Sequence, residues 1–148
     1  MTVLVTGVTG FTGGQLARYL GRQGFRVRGL VRPSSQARGL DLELENIIHV
    51  VGDLTDRASL DSACRDIDVV YHIAASYRSA GQTDDAYRAV NVTGTSNLLH
   101  AAQAAGVRRF VHCSTGGVHG HIEHPPASED APLEPGDIYQ VTKLEAEC

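Results

Sequence analysis

Thr6-Gly7-Val8-Thr9-Gly10-Phe11-Thr12-Gly13 is the stretch whose reading decides the fold. Before it, Thr2–Thr6 is an apolar run of the kind found in a strand buried on both faces of a parallel sheet. After it, Thr12–Gly21 places Leu16 and Leu20 one helical turn apart on one face. The order is strand, glycine turn, helix. Gly7 permits the tight exit from the strand, and Gly10 leaves space for a phosphate at the helix N-terminus, where free N–H groups favour anions. Gly13 lets the helix lie close to the sheet.

The same alternation continues outward. Phe25–Val31, Ile47–Val51, Asp68–Ala74 and Val107–Cys113 read as further strands. Arg32-Pro33-Ser34-Ser35 reads as a loop, because Pro33 cannot continue a ladder, and Ala37–Asn46 reads as a short helix. Thr55 is the expected cap of a helix over Asp56–Cys64. A long helix is expected over Asp84–Ala105, with Ala86, Val90, Leu98, Ala102 and Ala105 toward the sheet and Gly106 as its left-handed stop. Ser114–Gly136, with four prolines, reads as loop, and Tyr139–Cys148 begins another helix. Strands alternating with helical crossovers imply an α/β fold, a doubly wound parallel sheet in the order 3-2-1-4-5. Ligands of such sheets bind off the carboxyl ends of the strands, here Thr6–Gly13, Val31–Pro33, Ala74–Ser76 and Ser114–Gly117.

Composition excludes several classes. The chain has 148 residues, 42% hydrophobic and 20% charged, close to globular averages, so it is neither disordered nor fibrous. Thirteen Lys and Arg against seventeen Asp and Glu give a net charge of -4, which argues against nucleic acid or an anionic membrane as partner. No run approaches the length of a membrane span, and the N-terminus lacks the pattern of a secretory signal. Cys64, Cys113 and Cys148 are odd in number and widely spaced, so buried thiols in the reducing cytoplasm are expected rather than a disulfide framework.

The glycine spacing is G-x-x-G-x-x-G, and Thr6–Gly13 resembles the T-G-x-x-G-[FY]-x-G fingerprint of the extended short-chain dehydrogenase/reductases, the NAD-dependent epimerases/dehydratases. Gly52-Asp53-Leu54, Ala74-Ala75, Asn91-Val92-Thr93-Gly94-Thr95 and Tyr139…Lys143 follow in that family's order. The resemblance implies a Rossmann domain that holds NAD or NADP. Gly7, Thr9, Gly10, Phe11, Thr12 and Gly13 would cradle the pyrophosphate, and Ala74 and Ala75 would let the backbone pass close to the cofactor. At the end of the second strand a carboxylate selects NAD, whereas an Arg pairs with the 2′-phosphate of NADP. Arg32 stands there, and no Asp or Glu lies between Gly13 and Gly39, so NADP is preferred. Asp53, beside Leu54, either meets the adenine amino group, as the resemblance implies, or caps the next helix. Asn91 either organises the site or bonds only to backbone.

Tyr139 and Lys143 lie one turn apart on one helix face. A free tyrosine, with a pKa of about 10, exchanges protons poorly near neutrality, and a nearby cation lowers that value. The resemblance makes Tyr139 the proton-exchanging residue and gives Lys143 the nicotinamide ribose as well. Aligned on Val118 and Gly120, Ser114 or Thr115 supplies the hydroxyl that orients the substrate oxygen, and the sequence does not separate them. His112, His119, His121 and His124 lack the spacing of a structural zinc site and read as a surface loop, so no metal is expected.

The resulting expectation is an NAD(P)-dependent enzyme acting on the carbinol carbon of a small molecule, a nucleotide sugar or related hydroxy compound. An NADPH-dependent ketone reductase resembling dihydroflavonol reductases is the alternative, and a non-catalytic dinucleotide sensor is the rival from another class. Residues 1–148 are expected to form an incomplete dinucleotide-binding domain, ending inside the catalytic helix with the C-terminal substrate-binding region absent and the fifth strand left as an open edge. The fragment alone is then expected to be inactive and aggregation-prone, with a homodimer open to the full-length protein.

Overall fold

Thr2–Thr6 forms the central strand, β1, of a five-stranded parallel sheet. The others are β2 (Arg26–Val31), β3 (Ile48–Val51), β4 (Val69–His72) and β5 (Arg109–His112), in the expected order β3-β2-β1-β4-β5. The computed structural model describes residues 1–35, 47–77 and 80–148. The short helix expected over Ala37–Asn46 lies outside them. The helices are α1 (Phe11–Arg22), α2 (Arg57–Ala63), α3 (Asp84–Arg88), α4 (Gly94–Ala104) and α5 (Ile138–Glu145), and a π-turn, Ala89–Thr93, joins α3 to α4. The architecture is a Rossmann-like α/β fold.

Strand periodicity sorts the core into two layers. Val3, Val5, Val27, Val31 and Val69 face Ala17 and Leu20 of α1. Leu4, Leu30 and Val70 face Leu60 and Ala63 of α2 and Leu98, Ala101 and Ala102 of α4. With Val3, Leu4 and Val5 all fully buried, β1 has no polar face, as a central parallel strand requires.

Three local expectations are corrected. Asp56 and not Thr55 caps α2: the Asp56 carboxylate accepts from the N–H groups of Ala58 and Ser59, and Thr55 turns back to donate to Asp53 Oδ1. A carboxylate directly before the helix meets the free amides better than a hydroxyl one residue earlier. The long helix expected over Asp84–Ala105 is interrupted by the π-turn; its buried residues include Tyr87, Asn91, Thr95 and the expected Leu98 and Ala102, and Ala105 is exposed because the α-helix has already ended at Ala104. Gly106 follows as the stop, with φ +73°. Of the cysteines only Cys64 is buried, whereas Cys113 and Cys148 are exposed, and all three are free thiols.

The inner face of α4 gives a test with two adjacent leucines. Leu98 is 0% exposed and Leu99 48% exposed. Leu98→Ala is expected to cost about 2–5 kcal/mol of stability by leaving a cavity, and Leu99→Ala about 0.5 kcal/mol or less. Urea unfolding of the two variants measures both, and equal losses would contradict the assigned inner face.

Candidate active site

A cleft of about 800 Å³ opens off the carboxyl ends of β1, β2, β3 and β4. That size suits a ligand larger than a simple metabolite. Its wall includes Gly7, Thr9, Gly10, Phe11, Thr12, Gly13, Arg32, Asp53, Leu54, Ala74 and Ala75, the residues assigned to the cofactor from sequence, apart from Asn91, Tyr139 and Lys143. Gly7 adopts φ +73° with the backbone of Ala74 packed against it. A Cβ on Gly13 would lie 2.3 Å from the Gly7 carbonyl oxygen, so α1 can start this close to β1 only without a side chain there. Gly10 is the N-cap of α1 and brings no side-chain acceptor, which leaves the first-turn amides to a ligand. The cradle fits a phosphate-containing group. Asp53 does not cap α2, which Asp56 does; its carboxylate accepts from Thr55 within its own loop, and the residue lines the cleft.

Below the cleft runs a chain of buried hydrogen bonds that the sequence reading did not assemble. Thr6 Oγ1 accepts from the amides of Ile73 and Ala74 and lies 2.9 Å from His72 Nδ1. His72 Nε2 lies 2.9 Å from Thr95 Oγ1, which donates to the Asn91 carbonyl. Because the Thr95 proton is committed there, Thr95 must accept from His72 Nε2–H. His72 Nδ1 is then bare, and Thr6 donates to it. The Asn91 side chain accepts from Ser76 N and donates to the Ser76 carbonyl and to Thr142 Oγ1 on α5. Asn91 is 1% exposed and has no surface on the cleft, so it bears on a ligand through Ser76, which does. Thr6 also explains why β4 ends at His72, before Ala74: it captures the two amides that would have extended the ladder. Burial, reinforced by His112 and Lys143, pushes His72 down to about 3.

The residues expected to carry the chemistry gather at one side of this chain. Asp137 caps α5 by accepting from Gln140 N. Tyr139 packs edge-on against Tyr77 of the cleft wall, with ring centroids 4.8 Å apart. Lys143, 2% exposed, lies 3.1 Å from His112 Nε2 through its Nζ. Burial holds its ammonium below the usual lysine range. Thr115 caps the 3-10 turn Gly116–His119 by accepting from Gly117 N. Ser114 donates to the Glu147 carboxylate. His112 does not belong to a surface loop, as the clustering of histidines suggested. It ends β5 beside Lys143. Among the described residues no group of three His, Cys, Asp or Glu could hold a metal ion. No described helix is long and apolar enough to cross a membrane.

Residues 3–148 match the profile of the NAD dependent epimerase/dehydratase family. The chain belongs to that family. It is 38% identical over 151 residues to the sterol demethylase protein B of Methylococcus capsulatus, a match covering 99% of this chain and 45% of that protein. It is 39% identical to a 3 beta-hydroxysteroid dehydrogenase/Delta 5-->4-isomerase of Mycobacterium tuberculosis, covering 98% of this chain and 40% of the relative. A crystal structure of a short-chain dehydrogenase/reductase superfamily protein from Agrobacterium tumefaciens with bound NAD superposes with a TM-score of 0.86 at 40% identity, covering 99% of this chain and 43% of that one. The chain thus spans less than half the length of these family members.

His72 gives the site a measurable acid limb. Its folded value lies below the ordinary 6.5, so the unfolded chain binds the proton more readily and stability is lost as pH falls from about 6.5 toward 3. His112 is likewise pushed below 6.5, so His72 shares the loss between pH 7.5 and 5 with it. The urea midpoint of the wild type is expected to fall across that interval, and His72→Gln to start lower but show a flatter decline. An unchanged slope in the variant would contradict a neutral, buried His72.

Proposed function

We propose that this chain binds a nicotinamide dinucleotide, with NADP preferred over NAD, and catalyses hydride transfer at a carbinol carbon of a nucleotide sugar or related hydroxy compound. The observation that carries the reading is that the helix bearing Tyr139 and Lys143 adjoins the cleft lined by the glycine cradle, through the Tyr139–Tyr77 contact and the buried hydrogen bonds that end on Thr142. When bound, the oxidised dinucleotide supplies a hydride acceptor. The chain's residues hold the rest of the reaction. Tyr139, as phenolate, takes the hydroxyl proton of the substrate as its C–H hydride leaves and the carbonyl forms. In the reverse direction Tyr139 returns that proton. Lys143 stabilises the phenolate by its charge, and the exclusion of water around it strengthens the effect.

Thr115 is assigned the substrate-orienting hydroxyl. Its oxygen already accepts from Gly117 N, so its own proton is available for a substrate oxygen, whereas that of Ser114 goes to Glu147. Arg32 supports NADP. It lies past the end of β2 with an exposed side chain on the cleft wall, where a 2′-phosphate would find a guanidinium, and Arg32–Ser35 carry no carboxylate. Residues 1–148 form the dinucleotide-binding unit in this reading. The choice among sugar, steroid and other alcohols belongs to the part of the family's length that this chain does not span.

Tyr139→Phe separates an enzyme from a dinucleotide sensor. Turnover is expected to fall by about 10²–10⁴-fold, as for loss of a general acid–base group, while dinucleotide affinity stays within about twofold. A sensor would show neither turnover nor a change in response. Titration with NADPH and NADH checks the cofactor: NADPH is expected to bind tighter, with the preference lost in Arg32→Ala. Tighter NADH binding by the wild type would overturn the NADP assignment.

A further inference from the structure

β5 ends on His112, and the parallel register sets His112 beside His72 of β4. Both rings therefore leave the sheet on the face covered by α4 and α5, with centroids 5.3 Å apart. The two histidines are treated very differently by their surroundings. His72 has a partner at each ring nitrogen. His112 has one: Nε2 meets Lys143 Nζ at 3.1 Å, and its buried Nδ1 finds no partner among the described residues. A lysine ammonium can only donate, so Nε2 must be the bare nitrogen and the ring proton must sit on Nδ1. The neighbouring histidines are opposite tautomers.

The charges around the pair favour that arrangement. Facing His112 are neutral His72 from β4, Lys143 from α5 and Glu147 just beyond α5, and Cys113 adjoins Lys143 from the end of β5. Burial, followed by the Lys143 charge, pushes His112 down to about 4, so its acceptor nitrogen is available throughout the neutral range. A buried ammonium needs acceptors, and among the described residues His112 is the one its Nζ reaches. An apolar side chain at this position would leave Lys143 buried with that proton unbonded.

We propose that His112 is a positioning residue for Lys143. Its Nε2 takes one of the three ammonium protons and holds Nζ in place, which leaves the other two for the ligand. The proposal rests on Lys143 being a dinucleotide ligand, as assigned above. An arginine or lysine could not replace His112, since neither offers an acceptor, whereas glutamine could through its amide oxygen.

The test is made on the purified protein near pH 7. Long-range ¹H–¹⁵N spectra of the imidazoles are expected to show His112 protonated at Nδ1 and bare at Nε2, with His72 the reverse. A proton on His112 Nε2 would overturn the proposal, and this spectroscopic result does not depend on any variant folding. Titration with NADPH and NADH is expected to show about tenfold weaker binding for His112→Phe, the usual scale for a lost hydrogen bond to a charged group, and recovery to within about threefold for His112→Gln. Wild-type affinity in His112→Phe beside weakened Lys143→Met would refute the role of His112, and so would equal weakening in His112→Gln and His112→Phe. Wild-type affinity in Lys143→Met would instead refute Lys143 as a dinucleotide ligand, and the His112–Lys143 contact would then stand or fall on the tautomer.

Discussion

Thr6 Oγ1 has two lone pairs and one proton, and the fold uses all three. It receives the amides of Ile73 and Ala74 and donates to His72, which passes the polarity on through Thr95 and Asn91 to Ser76 and Thr142. The Thr95 proton, committed to the Asn91 backbone carbonyl, sets the directions at His72 and Thr6, and the Ser76 amide sets that of the Asn91 side chain, so the bonds have a single consistent arrangement. Leaving any one member unpaired in this interior costs about 1–3 kcal/mol. A shift of β4 against β1, or of α5 against the π-turn, would break several bonds together. The hydrogen-bond chain therefore holds β4 against β1 and α5 against the π-turn, and with them the cleft floor.

That constraint links binding to chemistry. The segment after β4 forms the cleft wall at Ala74, Ala75 and Ser76, and its backbone is held at one end by Thr6 and at the other by Asn91. Asn91 also holds Thr142, which lies between Tyr139 and Lys143 in chain order and sends its proton to carbonyls of the preceding turn. The helix that carries Tyr139 and Lys143 and the cleft floor thus share one anchor. Asn91 lies within the π-turn, and Thr95 follows one helical turn later on the same inner face. The exposed Arg88–Glu145 ion pair ties α3 to α5 as well, but half-solvated pairs of this kind contribute little.

The fold was legible because its determinants are local or periodic. The apolar run of β1, the glycines at 7, 10 and 13 and the αL stop at Gly106 each encode backbone geometry within a few residues. The cleft wall was legible for the same reason, since strand ends converge once the order is known. What the sequence hides is long-range. His72 looks like one more residue of an apolar strand until Thr6 and Thr95 stand on either side of it. His112 looks like one of a loop cluster until the register places it beside His72 and under Lys143. The π-turn is likewise invisible to a periodicity of 3.6. A histidine at the end of a buried strand, with a threonine at the end of its neighbour, is the signal that could have shown the hydrogen-bond chain.

The central claim is that this buried chain couples the cleft floor to α5, the helix of Tyr139 and Lys143. Residue-resolved amide hydrogen exchange of Asn91→Leu, a substitution of similar volume without the amide, tests it most directly. The Ser76 amide and the α5 amides around Thr142 are expected to lose protection by about five- to a hundredfold, the equivalent of one or two lost buried hydrogen bonds. The amides that pair β1 with β2 are expected to keep wild-type protection. Wild-type exchange in α5 with Ser76 alone deprotected would show that floor and helix are independent, and would contradict the account.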